Sequence, residues 1–229
     1  MTGGGPGGGV PGVTWEAAEG WLRVDSERPL RVIATAPVNG GMSSVRYFLS
    51  IAAPANLDCD APEEAIGEAA RALGIDGPFV GFMTAVDLRN AVSATASDGE
   101  RQVTVVATVG VTNATRPGET RFDTPAPGTV NIVVVVDADL PPVALAELLA
   151  LTAETKALTL IEAGATVADG RPASGTSTDA YAIACTGEGS FERYAGSVSP
   201  VGYLVGRAVR QALQAGLPAA LARTAEARR

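Results

Sequence analysis

The chain is 229 residues long, 46% hydrophobic and only 5% aromatic, with a formal charge of −8. It contains no histidine, and Lys156 is the one lysine among 17 basic residues. Ser-His-Asp and Cys-His catalysis and imidazole-ligated metal sites are therefore excluded. Any proton transfer must run through carboxylates, Lys156, hydroxyls, thiols or water. The acidic balance and scattered arginines argue against a nucleic-acid surface. A chain of this length buries roughly 70–75% of its unfolded surface, so it needs no disulfide. Cys59 and Cys185 read as two reduced thiols of a cytoplasmic protein.

Residues 1–12 are glycine and proline without an apolar run, which predicts a disordered leader before a single domain over 13–229. Residues 20–25 and 30–37 read as two short strands separated by the Ser26-Glu27-Arg28-Pro29 turn, and 45–51 as a third. Asp60, Pro62, Glu63 and Glu64 open a helix that Gly74 closes. Strands are expected at 79–88 and 102–111; the second alternates Val103, Val105, Ala107 and Val109, so one face is buried. Residues 129–136 are apolar on both faces, as in a central strand, and fall far short of the ~20 residues a membrane span needs. A long helix from Asp139 and the Pro141-Pro142 pair to about 163 precedes a strand at 179–186. A turn at Gly187-Glu188-Gly189 then leads to another short strand ending at 195. Ser199-Pro200 caps a helix to about 215, and 217–229 forms a last one. Few long helices among runs of strands predict an α+β (mixed α/β) fold: one layered domain with a mixed, largely antiparallel sheet.

The polar residues gather at predicted strand ends. Thr84 and Asp87 close one strand, and Thr112 and Asn113 follow another. Thr129 and Asn131 open the central strand, and Gly175-Thr176-Ser177-Thr178-Asp179 opens the next. Each alone is an ordinary turn former; together they outline a site. On the long helix, Thr152, Thr155, Lys156 and Thr159 share one face. Arginine serves everywhere else that a positive charge would do, so the lone lysine points to a task for a compact ammonium. A surface lysine beside Glu154 or Glu162 is the alternative.

These segments together resemble the adenosylcobinamide amidohydrolase (CbiZ) family. The resemblance rests on Gly81-Phe82-Met83-Thr84-Ala85-Val86-Asp87, Gly110-Val111-Thr112-Asn113-Ala114 and Gly128-Thr129-Val130-Asn131-Ile132. It continues through Thr152-Ala153-Glu154-Thr155-Lys156, Gly175-Thr176-Ser177-Thr178-Asp179-Ala180, Tyr194-Ala195-Gly196 and Gly202-Tyr203-Leu204-Val205-Gly206-Arg207. Upstream, Asn39-Gly40-Gly41 is similar to the family's early glycine turn. The resemblance implies removal of aminopropanol from adenosylcobinamide, leaving adenosylcobyric acid for vitamin B12 salvage. The corrinoid would be the substrate, held by its edges and not through cobalt, with no cofactor required. Asn39, Gly40, Gly41, Thr84, Asn113, Thr129, Asn131, Thr152 and Thr176 are then the candidate substrate-binding residues, and Lys156, Asp179, Asp87, Glu154 and Thr178 the candidate catalytic ones.

Two routes follow without imidazole. In one, Asp87 or Asp179 activates water while Asn113, backbone N–H groups and Lys156 stabilise the oxyanion. In the other, Thr176 or Thr178 attacks with Lys156 as its base. A divalent metal on Asp87, Glu154 and Asp179 is a further alternative without a spacing signature. Non-catalytic corrinoid binding, and a threonine-dependent amidase or acyltransferase acting on a small amino-acid derivative, are the rival functions. Neither a nucleic-acid nor a membrane partner is expected, and a homo-oligomer is left open.

Overall fold

The structure, a computed structural model, describes residues 9–53, 62–120 and 128–228. In chain order the strands are β1 (Val13–Ala18), β2 (Trp21–Ala34), β3 (Gly41–Ala52), β4 (Phe79–Thr84), β5 (Val92–Ser97), β6 (Gln102–Val109), β7 (Ala114–Thr115), β8 (Val130–Val136), β9 (Gly175–Thr176) and β10 (Ala180–Cys185). The helices are α1 (Pro62–Ala72), α2 (Pro142–Glu162) and α3 (Pro200–Ala227). One eight-stranded sheet runs β4-β3-β2-β10-β8-β6-β5, with β1 also on β2; β7 and β9 form a separate two-stranded ladder. Pairings are antiparallel except β3 with β4 and β8 with β10. The mixed, largely antiparallel sheet matches the expected fold class.

The sheet doubles back on itself through β2. Residues 21–26 of that strand pair with β1, and Arg31 to Ala34 pair with β10. Between them the register with β3 shifts at Asp25 and Leu30, around Pro29, which cannot donate to a ladder. Two predicted strands are thus one bent strand that carries the chain from one half of the sheet to the other. Leu22, Val24, Phe48 and Phe82 from the β1–β4 half pack against Val106, Val133 and Ala182 from the β5–β10 half. The outer faces are covered by α2 and α3 on one side and by α1, through Ile66 and Ala70, on the other. This explains why every side chain of β8 is buried: Ile132 and Val134 face the long helices, Val133 and Val135 the opposite half-sheet.

Several predicted elements differ. Within the expected leader Val10 is buried and its N–H donates to Thr104 Oγ1 at 2.9 Å, while 1–8 lie outside the described residues. β1 and β5 were not anticipated; both are short edge strands of mixed polarity. The predicted strand at 79–88 stops at Thr84, where Val86 N–H bonds the Thr84 hydroxyl and Leu88–Asn90 form a 3-10 turn. No strand follows Gly189 beyond an isolated bridge from Phe191 to Asp139. The carboxy-terminal region is one helix instead of two: α3 passes through Pro218, a residue that costs a helix interior about 3 kcal/mol. Burial of Leu213, Leu217 and Ala220 beneath it offsets that cost. Cys185 is buried and free, donating weakly to Leu140 O at 3.8 Å. Cys59 and Asp60 lie outside the described residues.

Candidate active site

α2 starts with Pro142 at its first turn and ends before Gly164, whose φ of 77° suits a residue without Cβ. Its leucines Leu145 and Leu148 fix it on the sheet, and the same inward side then presents Thr152, Lys156 and Thr159, all buried. Lys156 Nζ donates to Asp179 Oδ2 at 2.6 Å, with both side chains 8% exposed. Asp179 stands one residue before β10. The second donor to Oδ2 is Thr176 N–H at 3.0 Å. Oδ1 accepts from Val130 N–H at 3.1 Å and from the Thr176 hydroxyl. A carboxylate oxygen has two lone-pair sites, so these four donors occupy both oxygens. Tyr181 lies two residues further along, on the same side of the chain. Its ring centroid is 5.9 Å from Nζ. Burial, and then the nearby Asp179 charge, push the Tyr181 phenol well above the ordinary tyrosine value. It therefore remains a neutral phenol.

Glycine makes this convergence possible. A Cβ at Gly175 would fall on the Lys156 ammonium and 2.7 Å from Asp179 Oδ2. The β7–β9 ladder, pairing Ala114 with Thr176 and Thr115 with Gly175, ties the Asn113 loop to the Thr176 loop. Asn113 Nδ2 donates to Ser177 Oγ at 2.8 Å, and a Cβ at Gly128 would lie 2.9 Å from Asn113 Oδ1. That Oδ1, and the Thr152 hydroxyl, are buried without a hydrogen-bond partner among the described residues. The Thr129 hydroxyl donates to Thr178 O at 2.8 Å, and Asn131 Nδ2 to Met83 O at 3.2 Å. These two side chains brace the start of β8 under the Thr178 loop and against β4. The Thr178 hydroxyl is directed to Gly128 O at 3.3 Å.

The structure thus gathers Lys156, Asp179, Thr176, Thr178, Asn113, Thr129, Asn131 and Thr152 around one end of β8 and β10. Other sequence candidates lie outside this hydrogen-bonded group. Asp87 is exposed; the Arg89 side chain, and then its backbone N–H, hold its pKa below the usual carboxylate value. Glu154 is exposed on the outward side of α2. It lines a groove of about 470 Å³ with Thr155, Leu158, Tyr203 and Arg207. Thr84 closes its own turn. Asn39, at φ 54°, donates to Phe79 O at 2.7 Å, while Gly40 and Gly41 complete that turn, Gly40 against Ala36 O. Among the described residues no three His, Cys, Asp or Glu side chains converge, and the proposed set of Asp87, Glu154 and Asp179 is dispersed. Tyr181 is absent from the sequence candidates, and Gly175 figures there only as part of the Gly175–Asp179 segment. The two-residue strand period from Asp179 was the available signal for Tyr181; nothing in the sequence predicts the close approach at Gly175.

A buried ion pair bonded to a hydroxyl, ringed by amide and hydroxyl groups, has the chemistry to supply a nucleophile and oxyanion donors for an acyl group without imidazole. The sequence profile of the adenosylcobinamide amidohydrolase family matches residues 12–225. A Methanosarcina mazei protein named adenosylcobinamide amidohydrolase is 32% identical over 189 residues, 79% of this chain and 86% of its own. One of the same name from Halobacterium salinarum is 32% identical over 193 residues, covering 78% and 77%. The chain belongs to the adenosylcobinamide amidohydrolase family, hydrolases of a carbon–nitrogen amide bond. A Burkholderia sp. beta-aminopeptidase shares the fold, with a TM-score of 0.54, 14% identity and coverage of 93% of this chain and 88% of that one.

Proposed function

We propose that this enzyme hydrolyses the aminopropanol amide of adenosylcobinamide, releasing aminopropanol and leaving adenosylcobyric acid, a cytoplasmic step of corrinoid salvage. The observation that carries the reading is the Lys156–Asp179–Thr176 cluster, assembled from segments within the family match. Lys156 has three donors, of which Asp179 takes one. The other two are available to an oxyanion or to the departing amine, in a site dry enough for such bonds to be strong. Asp179 fixes the ammonium and the Thr176 hydroxyl. Ser177 and Thr178, both exposed, present hydroxyls at the rim to a substrate amide. Corrinoid side chains are themselves amides, so recognition by their edges suits this lining, and no metal is required by the groups assigned. Incubation with adenosylcobinamide, followed by mass spectrometry, should yield aminopropanol and adenosylcobyric acid in equal amounts. An unchanged substrate would reject the reading.

A further inference from the structure

We propose that Thr176 Oγ1 is the nucleophile of this reaction, and that its ester intermediate makes the enzyme an acyl transferase to small amines as well as a hydrolase. This inference rests on the function proposed above. Attack by water on an acyl carbon needs a base with a free lone pair facing that water. Asp179 has none: Val130 N–H, Thr176 N–H, the Thr176 hydroxyl and Lys156 take all four positions. The Thr176 oxygen is in the opposite state. Its proton is directed at Asp179 Oδ1, and no donor among the described residues reaches its own lone pairs. Three hydroxyls are available in the loop, and only this one is aimed at a carboxylate. Ser177 accepts from Asn113, and Thr178 donates to a backbone carbonyl. Thr176 is 8% exposed, beside the exposed Ser177 and Thr178. A nucleophile bonded to a base that a third group orients is the arrangement of covalent acyl transfer.

The step balances as follows. Thr176 Oγ1 bonds to the amide carbon while its proton passes along the existing hydrogen bond to Asp179 Oδ1, and the carbonyl oxygen becomes an oxyanion facing Lys156. Collapse breaks the carbon–nitrogen bond, and the proton leaves on the departing aminopropanol nitrogen. Acylation removes the Thr176 proton from Asp179 Oδ1 and frees that lone pair. Oδ1 then takes one proton from the attacking water or amine and returns it to Thr176 Oγ1 as the ester bond breaks, giving the carboxylic acid or a new amide and restoring the threonine hydroxyl. Asp179 and Lys156 act through Thr176 and the oxyanion, so an acceptor amine needs no further catalytic group.

The test uses the full chain with adenosylcobinamide, rapid acid quenching, intact-protein mass spectrometry, and hydroxylamine as the acceptor. The expected result is a transient adduct of one corrinoyl acyl group, mapped to residue 176. Hydroxylamine should divert product from free acid to hydroxamate without slowing aminopropanol release. Thr176→Ser should carry the adduct on the new hydroxyl, and folded Thr176→Val, checked by circular dichroism, should lose turnover by about 10³-fold or more. Aminopropanol release with neither adduct nor hydroxamate, or sustained turnover in folded Thr176→Val, would overturn the inference and leave the proposed function standing. No release from the wild-type enzyme would remove both.

Discussion

The second half of α2 mixes polarity on both of its sides. On the inner side Thr152, Lys156 and Thr159 are buried, while Leu158 and Ile161 stand exposed on the outer side. The first half behaves ordinarily, with Leu145 and Leu148 against the sheet. Leu145, Leu148, Leu151 and Leu160 anchor the helix along its length, while Lys156 carries a cation inward at a cost in desolvation that Asp179 must offset. A buried polar stripe supported by an apolar anchor identifies a functional face more sharply than burial alone.

The largest expected effect comes from breaking the inner face. Lys156→Met leaves Asp179 buried and uncompensated, which should cost about 3–5 kcal/mol of stability, and, with Lys156 as the proposed oxyanion donor, should lower turnover by about 10²–10³. Adding Asp179→Asn should recover much of the stability in urea denaturation but none of the turnover. Recovery of both would reduce the pair to a structural contact. Gly175→Ala sharpens the same point without altering charge. A methyl group in place of the close approach should cost about 1–3 kcal/mol and lower turnover by about 10²-fold through misplacement of Lys156.

A smaller effect concerns pH. The unfolded chain releases the Tyr181 proton near its ordinary value of 10.0, whereas the folded protein retains it. Stabilisation from this group is therefore full below that value and is lost as pH rises towards the raised folded value. Urea midpoints at about pH 8 and about pH 11 should differ more for the wild-type protein than for Tyr181→Phe; equal differences would refute the burial argument. The outer face should respond least. Glu154→Gln and Leu158→Ser should change stability by no more than about 0.5 kcal/mol and leave turnover unchanged, as should EDTA. A large loss from Glu154→Gln would return that carboxylate to the chemistry.

The sequence made some of this legible and not the rest, for physical reasons. The single lysine and the Thr176–Asp179 segment stood out because composition and local spacing carry their signal. The helix period placed Thr152, Lys156 and Thr159 together, but also grouped Thr155 with them, which lines the α2–α3 groove instead. That periodicity could not say that the polar face was the buried one. Asp87 looked equivalent to Asp179 at a strand end; only tertiary structure shows one carboxylate bonded to Arg89 at the surface and the other to Lys156 in the interior. Likewise, the Ser26–Pro29 turn signal was real as a bend, yet β2 continues through it because both of its ends pair with β3.

The most direct measurement compares aminopropanol release from adenosylcobinamide by the wild-type chain and by the Lys156→Met, Asp179→Asn double variant, with folding verified for both. The inner-face cluster as the catalytic centre predicts steady release, in equal amounts with adenosylcobyric acid, from the wild-type chain and at least about 10²-fold slower release from the double variant. Equal rates, or no release from the wild-type chain, would contradict it.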